Sequence, residues 1–314
     1  MAEWKFRIPE RKALPGSLHP ITTQLLNARG YIDEEDWTRF FAPQYDRDLH
    51  DPFLFSRMEQ VVERIKIAIK REEIIGIFGD YDADGVTSSV VMRETLESLG
   101  ARVLVYIPHK DTEGHGLNTR ALGFFSEQGV KLMMTLDCGM MNHAEISEAN
   151  MLGLDVIIID HHHVPEILPD AYAIINPKLP NETYPFRDLC GAGTAFKVAQ
   201  ALFRRLAPAR EEELKWLLDV VATGTVADVM PLVGENRVLV KYGLIVLSRT
   251  RRVGFQKMFE VGRLLIHAEK KPTARDNGFQ IAPRINAASR MAHAMLAHEL
   301  LVEQDENRAL DLAL

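Results

Sequence analysis

Five short apolar runs in the middle of the sequence constrain its fold most strongly. Each run is too short for a helix and is closed by polar residues or glycine, and the segments between the runs repeat apolar residues at helical spacing. Alternation of this kind is typical of βαβ units, in which a parallel sheet is covered by helices on both faces. We therefore predict an α/β fold with a doubly wound, mainly parallel sheet. The five predicted strands are residues 74–78, 103–107, 132–136, 156–159 and 173–175.

The sequence pattern divides the chain into three predicted regions. Residues 1–73 form a helical flank, in which one helix stops at Gly30 and the next opens at Asp33. Residues 74–228 carry the predicted sheet and its helices. Residues 229–314 form a basic, mainly helical extension. Because no linker separates these regions, we expect both flanks to be extensions of one domain.

Acidic residues and histidines follow three of the predicted strands. The carboxyl ends of the strands in a doubly wound sheet form the ligand-binding edge, so these side chains are expected to lie close together. A single aspartate such as Asp137 is explained equally well as the cap of the helix that follows it. The whole set on one rim would repel without cations, however, and bound metal ions are the simpler explanation. The set is Asp80, Asp82, Asp84, Asp137, Asp160, His161 and His162.

The ligand types indicate a metal and a reaction. Asp80-x-Asp82-x-Asp84-Gly85 matches the first half of a calcium-binding EF-hand loop, but position twelve is Val91 instead of glutamate and a strand precedes the loop. Carboxylates with imidazoles and no thiolates favour Mn²⁺ or Mg²⁺. Several carboxylates able to bridge suit two ions about 4 Å apart, which support an in-line phosphoryl displacement. The sequence therefore predicts metal-assisted hydrolysis of a phosphate ester.

Charge and cysteine content limit the class of protein. The 37 Lys and Arg against 44 Asp and Glu give a net charge of −7, yet residues 230–290 hold 12 basic and 4 acidic residues, a local charge of +8. This asymmetry indicates an anionic partner or a solvated basic face. The 2 cysteines exclude a disulfide scaffold and a four-thiolate zinc site. The charged amino terminus is unlike a secretory signal, and no apolar run could span a bilayer. We expect a cytoplasmic protein.

Four segments, in their order and spacing, resemble the DHH phosphoesterase superfamily and, within it, the RecJ single-strand-specific DNA exonucleases. They are residues 79–88, 137–139, 160–162 and 224–229, supported by residues 112–118, 191–200 and 283–290. The similarity covers nearly the whole chain. RecJ proteins normally continue into a second DHH-associated domain and an oligonucleotide-binding fold. The resemblance therefore predicts a catalytic core, either a fragment or a naturally short relative, without the usual carboxy-terminal domains.

The resemblance implies a role for each acid and histidine. Asp82 would serve one ion and Asp84 the other, Asp137 would bridge both, and His161 and Asp228 would complete the ligands of one ion. Asp228 alone resembles a helix terminus, and Asp219 competes for its role, but the family pattern favours Asp228. The implied catalytic residues are Asp80, which ligates or orients within the cluster, Asp160, which positions the histidines, and His162, which faces the phosphate as a donor or general acid.

Phosphate binding requires donors beyond the metals. The glycine-rich run around Gly193 precedes a helix and could present backbone N–H groups to a phosphate, although glycine packing at a tight turn explains the run equally well. Lys110, Arg284 and Asn286 lie at DNA-binding positions of the family. Lysine departs there from the usual Asn-Arg pair, and Lys110 cannot bind a phosphate with the two-pronged geometry of arginine.

The implied function is 5′-to-3′ exonuclease action on single-stranded DNA by a two-metal mechanism with Mn²⁺ or Mg²⁺, in recombination and repair. The basic segment would then track the strand. Repair or replication proteins are further implied partners. Two alternatives stay open, namely a DHH phosphodiesterase on short RNA or cyclic dinucleotides, and a non-catalytic DHH-fold platform in replication.

Overall fold

The structure is a computed structural model that describes residues 18–314. Predictions about the first 17 residues lie outside the described part. The chain divides into two compact units, Met1–Leu49 and His50–Leu314. The described part of the first unit contains three helices, α1 (Pro20–Asn27), α2 (Glu34–Phe41) and α3 (Tyr45–Asp48). The Asp33 carboxylate caps α2 by accepting the Asp36 N–H at 2.8 Å, as the sequence predicts.

The second unit is built on a five-stranded parallel sheet. The strand order is β2-β1-β3-β4-β5. The predicted strands are confirmed to within a residue or so at each end, because buried strands of a parallel sheet are apolar on both faces and stand out in the sequence. Their bounds are β1 (Ile74–Gly79), β2 (Arg102–Tyr106), β3 (Leu132–Leu136), β4 (Asp155–Ile159) and β5 (Ala173–Ile175).

Helices connect and cover the strands. In chain order they are α4 (Met58–Lys70), α5 (Ala83–Ser98), α6 (Lys110–Glu113), α7 (Thr119–Glu127), α8 (His143–Met151), α9 (Gly191–Leu206), α10 (Leu218–Ala227), α11 (Gly234–Leu247), α12 (Val253–Val261), α13 (Ala274–Asp276), α14 (Ala282–Met291), α15 (Ala294–Val302) and α16 (Glu306–Ala313). Two 3₁₀-helices, Pro52–Leu54 and Pro208–Leu217, and a π-helix, Asn277–Ile281, complete the set. None of the helices within residues 18–314 is long and apolar enough to cross a membrane.

The helices form a layer on each face of the sheet. On one face α7 and α8 pack through Phe125 and Ile146 against alternate strand residues such as Met133 and Ile158. On the other face α4, α5 and α9 lie against the sheet, and α10 packs on α5 and α9. This arrangement confirms the predicted doubly wound fold. The chain leaves β1 toward β2 on one side, while β3 lies on the other, so the ends of β1 and β3 flank the topological switch point where such folds bind ligands.

Candidate metal centre

The first acidic segment turns directly from β1 into α5. The Asp82 carboxylate caps α5, and its Oδ1 accepts the N–H groups of Asp84 and Gly85 at 2.9 and 3.0 Å. The turn is tight enough to require glycine, because a Cβ atom on Gly85 would lie 2.5 Å from the carbonyl oxygen of Asp80. The N-cap geometry therefore fixes Asp82, and Asp80 and Asp84 lie on either side of it.

Asp84 is buried in the first turn of α5 and faces the start of α9. Its two carboxylate oxygens accept the N–H groups of Gly191 and Ala192 at 2.6 and 2.9 Å. The positive end of the α9 dipole thus stabilises a carboxylate of the protein itself. The Gly193 N–H, which the sequence assigns to a phosphate, donates to Cys190 Sγ at 3.3 Å, and Gly193 is buried. The N–H groups of Gly191, Ala192 and Gly193 are thus bonded within the fold, and phosphate binding at Gly193 stays a prediction.

Asp137 follows β3 in a backbone conformation that is rare for a residue with a side chain. Its φ is +62° and the residue is 1% exposed. Gly191 approaches it closely, since a Cβ atom there would lie 2.8 Å from the Cβ of Asp137. Strained backbone of this kind clusters at functional sites, and here it turns the Asp137 carboxylate toward the ends of β1 and β4.

Asp160 follows β4 and organises the histidine pair. Its Oδ1 accepts the N–H groups of His161 and His162 at 2.7 and 3.1 Å and lies 2.8 Å from His162 Nδ1, while Oδ2 accepts the Met140 N–H at 3.2 Å. Burial opposes ionisation, but the His162 contacts outweigh it and keep the pKa of Asp160 below its usual value. The Asp160 hydrogen bond in turn raises the pKa of His162. His162 Nδ1 is therefore held as a donor to Asp160, which leaves Nε2 for a substrate.

Asp228 is the C-cap of α10, the helix terminus that the sequence predicts. Val229 follows it with a φ of +56°, and the N–H groups of Val229 and Met230 donate to the carbonyls of Val226 and Thr225 at 3.2 Å each. This pairing is a Schellman motif, which usually has glycine at the left-handed position. Asp219, the competing carboxylate, is bonded instead to Thr250 at 2.7 Å and Arg252 at 3.1 Å.

The side chains from these segments converge on His161. Its Nε2 lies 3.1 Å from Asp137 Oδ1, 3.5 Å from Asp228 Oδ2 and 3.7 Å from Asp84 Oδ2. Potential ligand atoms within 4.8 Å of one another form three groups, which are linked because Asp137 and His161 each belong to two of them. The groups are Asp80, Asp82 and Asp137; Asp84, His161 and Asp228; and Asp137, His161 and His162. We call these seven residues the acid–histidine cluster.

The electrostatics of the acid–histidine cluster fit bound cations. Burial is the main influence that raises the pKa of Asp137 well above its usual value and the pKa values of Asp84 and Asp228 to about 6, and neighbouring carboxylates add to it. Burial also lowers the pKa of His161, so its imidazole is neutral and offers lone pairs.

The hydrogen bonding of the acid–histidine cluster also fits bound cations. Within the described chain Asp80 Oδ1, Asp137 Oδ1 and His161 Nε2 are buried and have no hydrogen-bond partner. Burying such atoms without a partner costs about 1–3 kcal/mol each. A divalent cation would bind these oxygen and nitrogen lone pairs and offset the repulsion between the carboxylates.

His115 also lies at the site, although it is not among the site residues that the sequence predicts. Its Nδ1 lies 2.9 Å from Asp80 Oδ2, and its ring centroid lies 6.2 Å from that of His162. The hydrogen bond to Asp80 raises the pKa of His115. His115 stands in the loop between α6 and α7, so no strand end marks it. Its place within the motif at residues 112–118 was the available signal.

The predicted DNA-binding residues lie in different environments. Lys110 Nζ is 5.5 Å from the centre of the Tyr81 ring, directly beside Asp80. Asn286 Oδ1 accepts the Ala83 N–H at 2.8 Å, so this carboxamide oxygen supports the start of α5. Arg284 is exposed and donates to the Gln280 carbonyl. Their contacts with DNA stay predictions.

Known proteins resemble this chain in sequence and in structure. The family model "DHH family, N-terminal domain" matches residues 74–225. The single-stranded-DNA-specific exonuclease RecJ of Bacillus subtilis is 42% identical over 315 residues, which are 99% of this chain and 39% of the relative. RecJ of Escherichia coli is 34% identical, over 98% of this chain and 53% of the relative. The chain thus spans between about two fifths and about half of the length of these relatives.

Solved structures of RecJ exonucleases are also similar to this chain. A crystal structure of exonuclease RecJ bound to manganese superposes with a TM-score of 0.73 at 35% identity and covers 82% of this chain and 64% of that one. RecJ of Thermus thermophilus in complex with Mn²⁺ gives a TM-score of 0.72 at 31% identity, over 95% of this chain and 43% of that one.

Proposed function

Because residues 74–225 are a DHH-family N-terminal domain and nearly the whole chain is homologous to RecJ exonucleases, we propose that this chain hydrolyses phosphodiester bonds of single-stranded DNA, releasing nucleotides from the 5′ end. The observation that carries the proposal is the convergence of buried carboxylates and a neutral imidazole, with unpartnered atoms, at the switch point of the sheet. Such a site suits divalent cations and a phosphate ester.

The acid–histidine cluster offers two sets of ligands. We assign Asp80, Asp82 and Asp137 to one Mn²⁺ or Mg²⁺ ion and Asp84, His161 and Asp228 to the other, with Asp137 shared. When bound, the two ions supply a water nucleophile at neutral pH and stabilise charge on the phosphate. Asp84 keeps its place through the α9 N–H groups, and Asp82 through its cap of α5.

The histidines complete the site. The Asp160 carboxylate holds His162 so that the His162 Nε2 can donate a hydrogen bond or a proton to the leaving-group oxygen of the phosphodiester. The half-exposed His115, fixed on Asp80, faces the same space and is a second imidazole donor to phosphate. Lys110 and Arg284 supply charge for the neighbouring phosphates.

The proposal is tested by following release of nucleotides from single strands labelled at either end, with Mn²⁺ or Mg²⁺. We expect release that stops in EDTA and falls at least 100-fold in Asp82→Ala and Asp137→Ala. An unreactive wild-type chain, or undiminished release by both variants, would refute the proposal.

A dinucleotide substrate separates the proposal from its nearest alternative. We expect a 20-nucleotide strand to be hydrolysed with a higher kcat/KM than a dinucleotide of RNA or DNA. Preference for the dinucleotide would instead assign the chain to the phosphodiesterases of short RNA. The absence of Mn²⁺ binding in calorimetry would favour a non-catalytic platform, with the repair or replication proteins as its partners.

A further inference from the structure

Two apolar side chains, on segments that meet at the last turns of α10, are almost fully exposed. Val229, directly after Asp228, is 86% exposed, and Phe279, in the π-helix, is 79% exposed. Exposed apolar residues are common singly, but each of these two occupies an unusual piece of backbone. Val229 has a positive φ, and Phe279 lies in a π-helix.

Val229 occupies a position where glycine would be more stable. At the left-handed position of a Schellman motif, a β-branched residue with a φ of +56° is a true outlier. The helix end itself needs only the two backbone hydrogen bonds to Val226 and Thr225, which glycine would preserve. Observed strain of this kind points to a function of the side chain.

Phe279 is presented by a segment that is fixed to the same helix end. Asn277 is buried, and its Nδ2 lies 3.4 Å from Thr223 Oγ1. A Cβ atom on Gly278 would lie 3.3 Å from Val226 Cγ1. The π-helix therefore packs against the last turns of α10, the helix that ends at Asp228. Single π-helical turns are frequent at functional sites.

The charge around this segment suits a polyanion. Arg284 is exposed and bonded to the Gln280 carbonyl, one residue beyond Phe279, and Arg275 and Arg290 are also exposed. An aromatic face with guanidinium groups close by matches a nucleotide, whose base is apolar and whose phosphate is charged. A protein partner would not need the metal cluster next to this surface.

We propose that Val229 and Phe279 form an apolar platform on which a nucleobase of the strand stacks while its phosphate faces the acid–histidine cluster. The inference rests on the proposed function and adds a surface that binds the nucleobase. The acid–histidine cluster alone would bind only the phosphate. Stacking of a base on an aromatic ring also tolerates any sequence, as an exonuclease requires.

The test measures binding in a way that does not depend on hydrolysis. Fluorescence anisotropy compares a labelled strand of 12 thymidines with a matched strand of base-free tetrahydrofuran units, with Ca²⁺ in place of Mn²⁺ and cleavage checked by electrophoresis. We expect the wild-type chain to prefer the thymidine strand, and Phe279→Ala to reduce that preference by about 5- to 150-fold. The control is Met151→Ala, because Met151 is 82% exposed at the end of α8, the sheet edge away from the cluster. This control should keep the full preference.

Val229→Gly gives a second test, because it should change the melting temperature and the affinity for thymidine in opposite directions. Glycine relieves the strain, so the melting temperature should rise, while loss of the side chain should weaken thymidine binding severalfold. A higher melting temperature with unchanged affinity would remove Val229 from the platform. Equal wild-type binding of both strands, or an unchanged preference in Phe279→Ala, would overturn the platform as a whole. Failure of the proposed function would appear separately, as the absence of hydrolysis with Mn²⁺ despite this binding.

Discussion

At the scale of single residues, the environment divides chemically identical carboxylates into two kinds. Asp137 is buried among other acids, and its pKa is raised well above the usual value. Asp160 is equally buried but accepts three backbone N–H groups and the His162 ring, so its pKa is lowered. The environment of Asp137 suits a metal ligand, because a bound cation stabilises the ionised carboxylate. The environment of Asp160 suits a carboxylate that stays ionised and orients the His162 imidazole.

Replacing the Asp160 anchor tests this division. In Asp160→Asn the amide cannot hold His162 by its charge, and we expect kcat for strand hydrolysis to fall about 10- to 100-fold. Asp155→Asn is the matched control, because Asp155 lies at the other end of β4 and pairs with Arg64 at 2.6 Å. Its activity should stay within about twofold of wild type. Equal losses in the two variants would indicate a general effect on β4.

His298 makes stability depend on pH. It is fully buried, and burial, with Arg93 and Arg252 nearby, lowers its pKa to about 3. The unfolded chain protonates this histidine below about pH 6.5 while the folded chain keeps it neutral, so stability is lost as the pH falls from about 6.5 toward 3.

A variant isolates this contribution. Between pH 7 and pH 4.5, urea unfolding should show His298→Gln losing about 2 kcal/mol less than wild type. Identical losses would mean that His298 takes up its proton without unfolding the chain.

Residue types at strand ends were predictable, and two details were not. Asp80, Asp137 and His161 follow apolar strands, so the sequence predicts that they lie together, as they do in the structure. The sequence could not decide the role of Gly193, because a helix N-terminus looks the same whether its N–H groups bind a phosphate or a carboxylate of the protein. Here the neighbouring N–H groups bind the carboxylate of Asp84, more than 100 positions earlier. His115 was missed because its partner is known only once the loop is placed.

At the scale of elements, Gly224 allows three helices to meet at Asp84. A Cβ atom there would lie 2.4 Å from Thr87 Oγ1, 2.7 Å from Asp84 Oδ1 and 2.9 Å from the Cβ of Ala192. These atoms belong to α5 and α9, and Gly224 belongs to α10. The helix packing thus determines how deeply the Asp84 carboxylate is buried.

Substitution of glycine by alanine should have opposite effects at two sites. Gly224→Ala overpacks the junction, and we expect a loss of about 1–3 kcal/mol in unfolding free energy together with weaker Mn²⁺ binding in calorimetry. Gly123→Ala, inside α7 with no atom within 4 Å of the new Cβ, should gain about 0.5–1 kcal/mol. A stable Gly224→Ala with normal Mn²⁺ affinity would contradict the role of the junction.

The sequence predicted regular elements better than irregular ones. The sequence predicts only a sheet and its helices over residues 74–228, whereas the structure has a 3₁₀-helix, Pro208–Leu217, before α10. The apolar spacing of the two helix types is similar over such a short stretch. The π-helix before α14 depends on the contacts of Asn277 and Gly278 with α10, which no local pattern reveals.

At the scale of the whole molecule, cations should stabilise the fold as well as the reaction. The acid–histidine cluster gathers repelling carboxylates from the segments after β1 and β3 and from the end of α10, so ions that bind it stabilise the folded chain. At Mn²⁺ concentrations about 100-fold above Kd we expect a gain of about 2.7 kcal/mol, or about 4 °C in melting temperature, reversed by EDTA. Scanning calorimetry measures this shift.

A pair of variants links that shift to the cluster. The gain should fall by half or more in Asp137→Asn and persist in Asp155→Asn. A gain that both variants keep would place the stabilising ion elsewhere.

Some of the basic residues that make the charge of the chain uneven form ion pairs within the fold. Of the basic residues that give residues 230–290 their charge of +8, Arg252 is buried against Asp219 and Glu94, and Lys257 pairs with Glu260 and Glu306. Composition could not separate such pairs from the exposed Arg284 and Arg290 near the π-helix. Only the latter kind is free to meet a polyanion.

The residues of the acid–histidine cluster are far apart in the sequence, and this separation determines when the cluster can form during translation. Asp80 and Asp228 are 148 positions apart, and ribosomes add about 5–20 residues per second. Between about 7 and 30 s therefore pass from the synthesis of Asp80 to that of Asp228. Throughout that interval a nascent chain lacks the end of α10 and the Asp228 carboxylate, so the acid–histidine cluster is incomplete until the core of the chain has been translated.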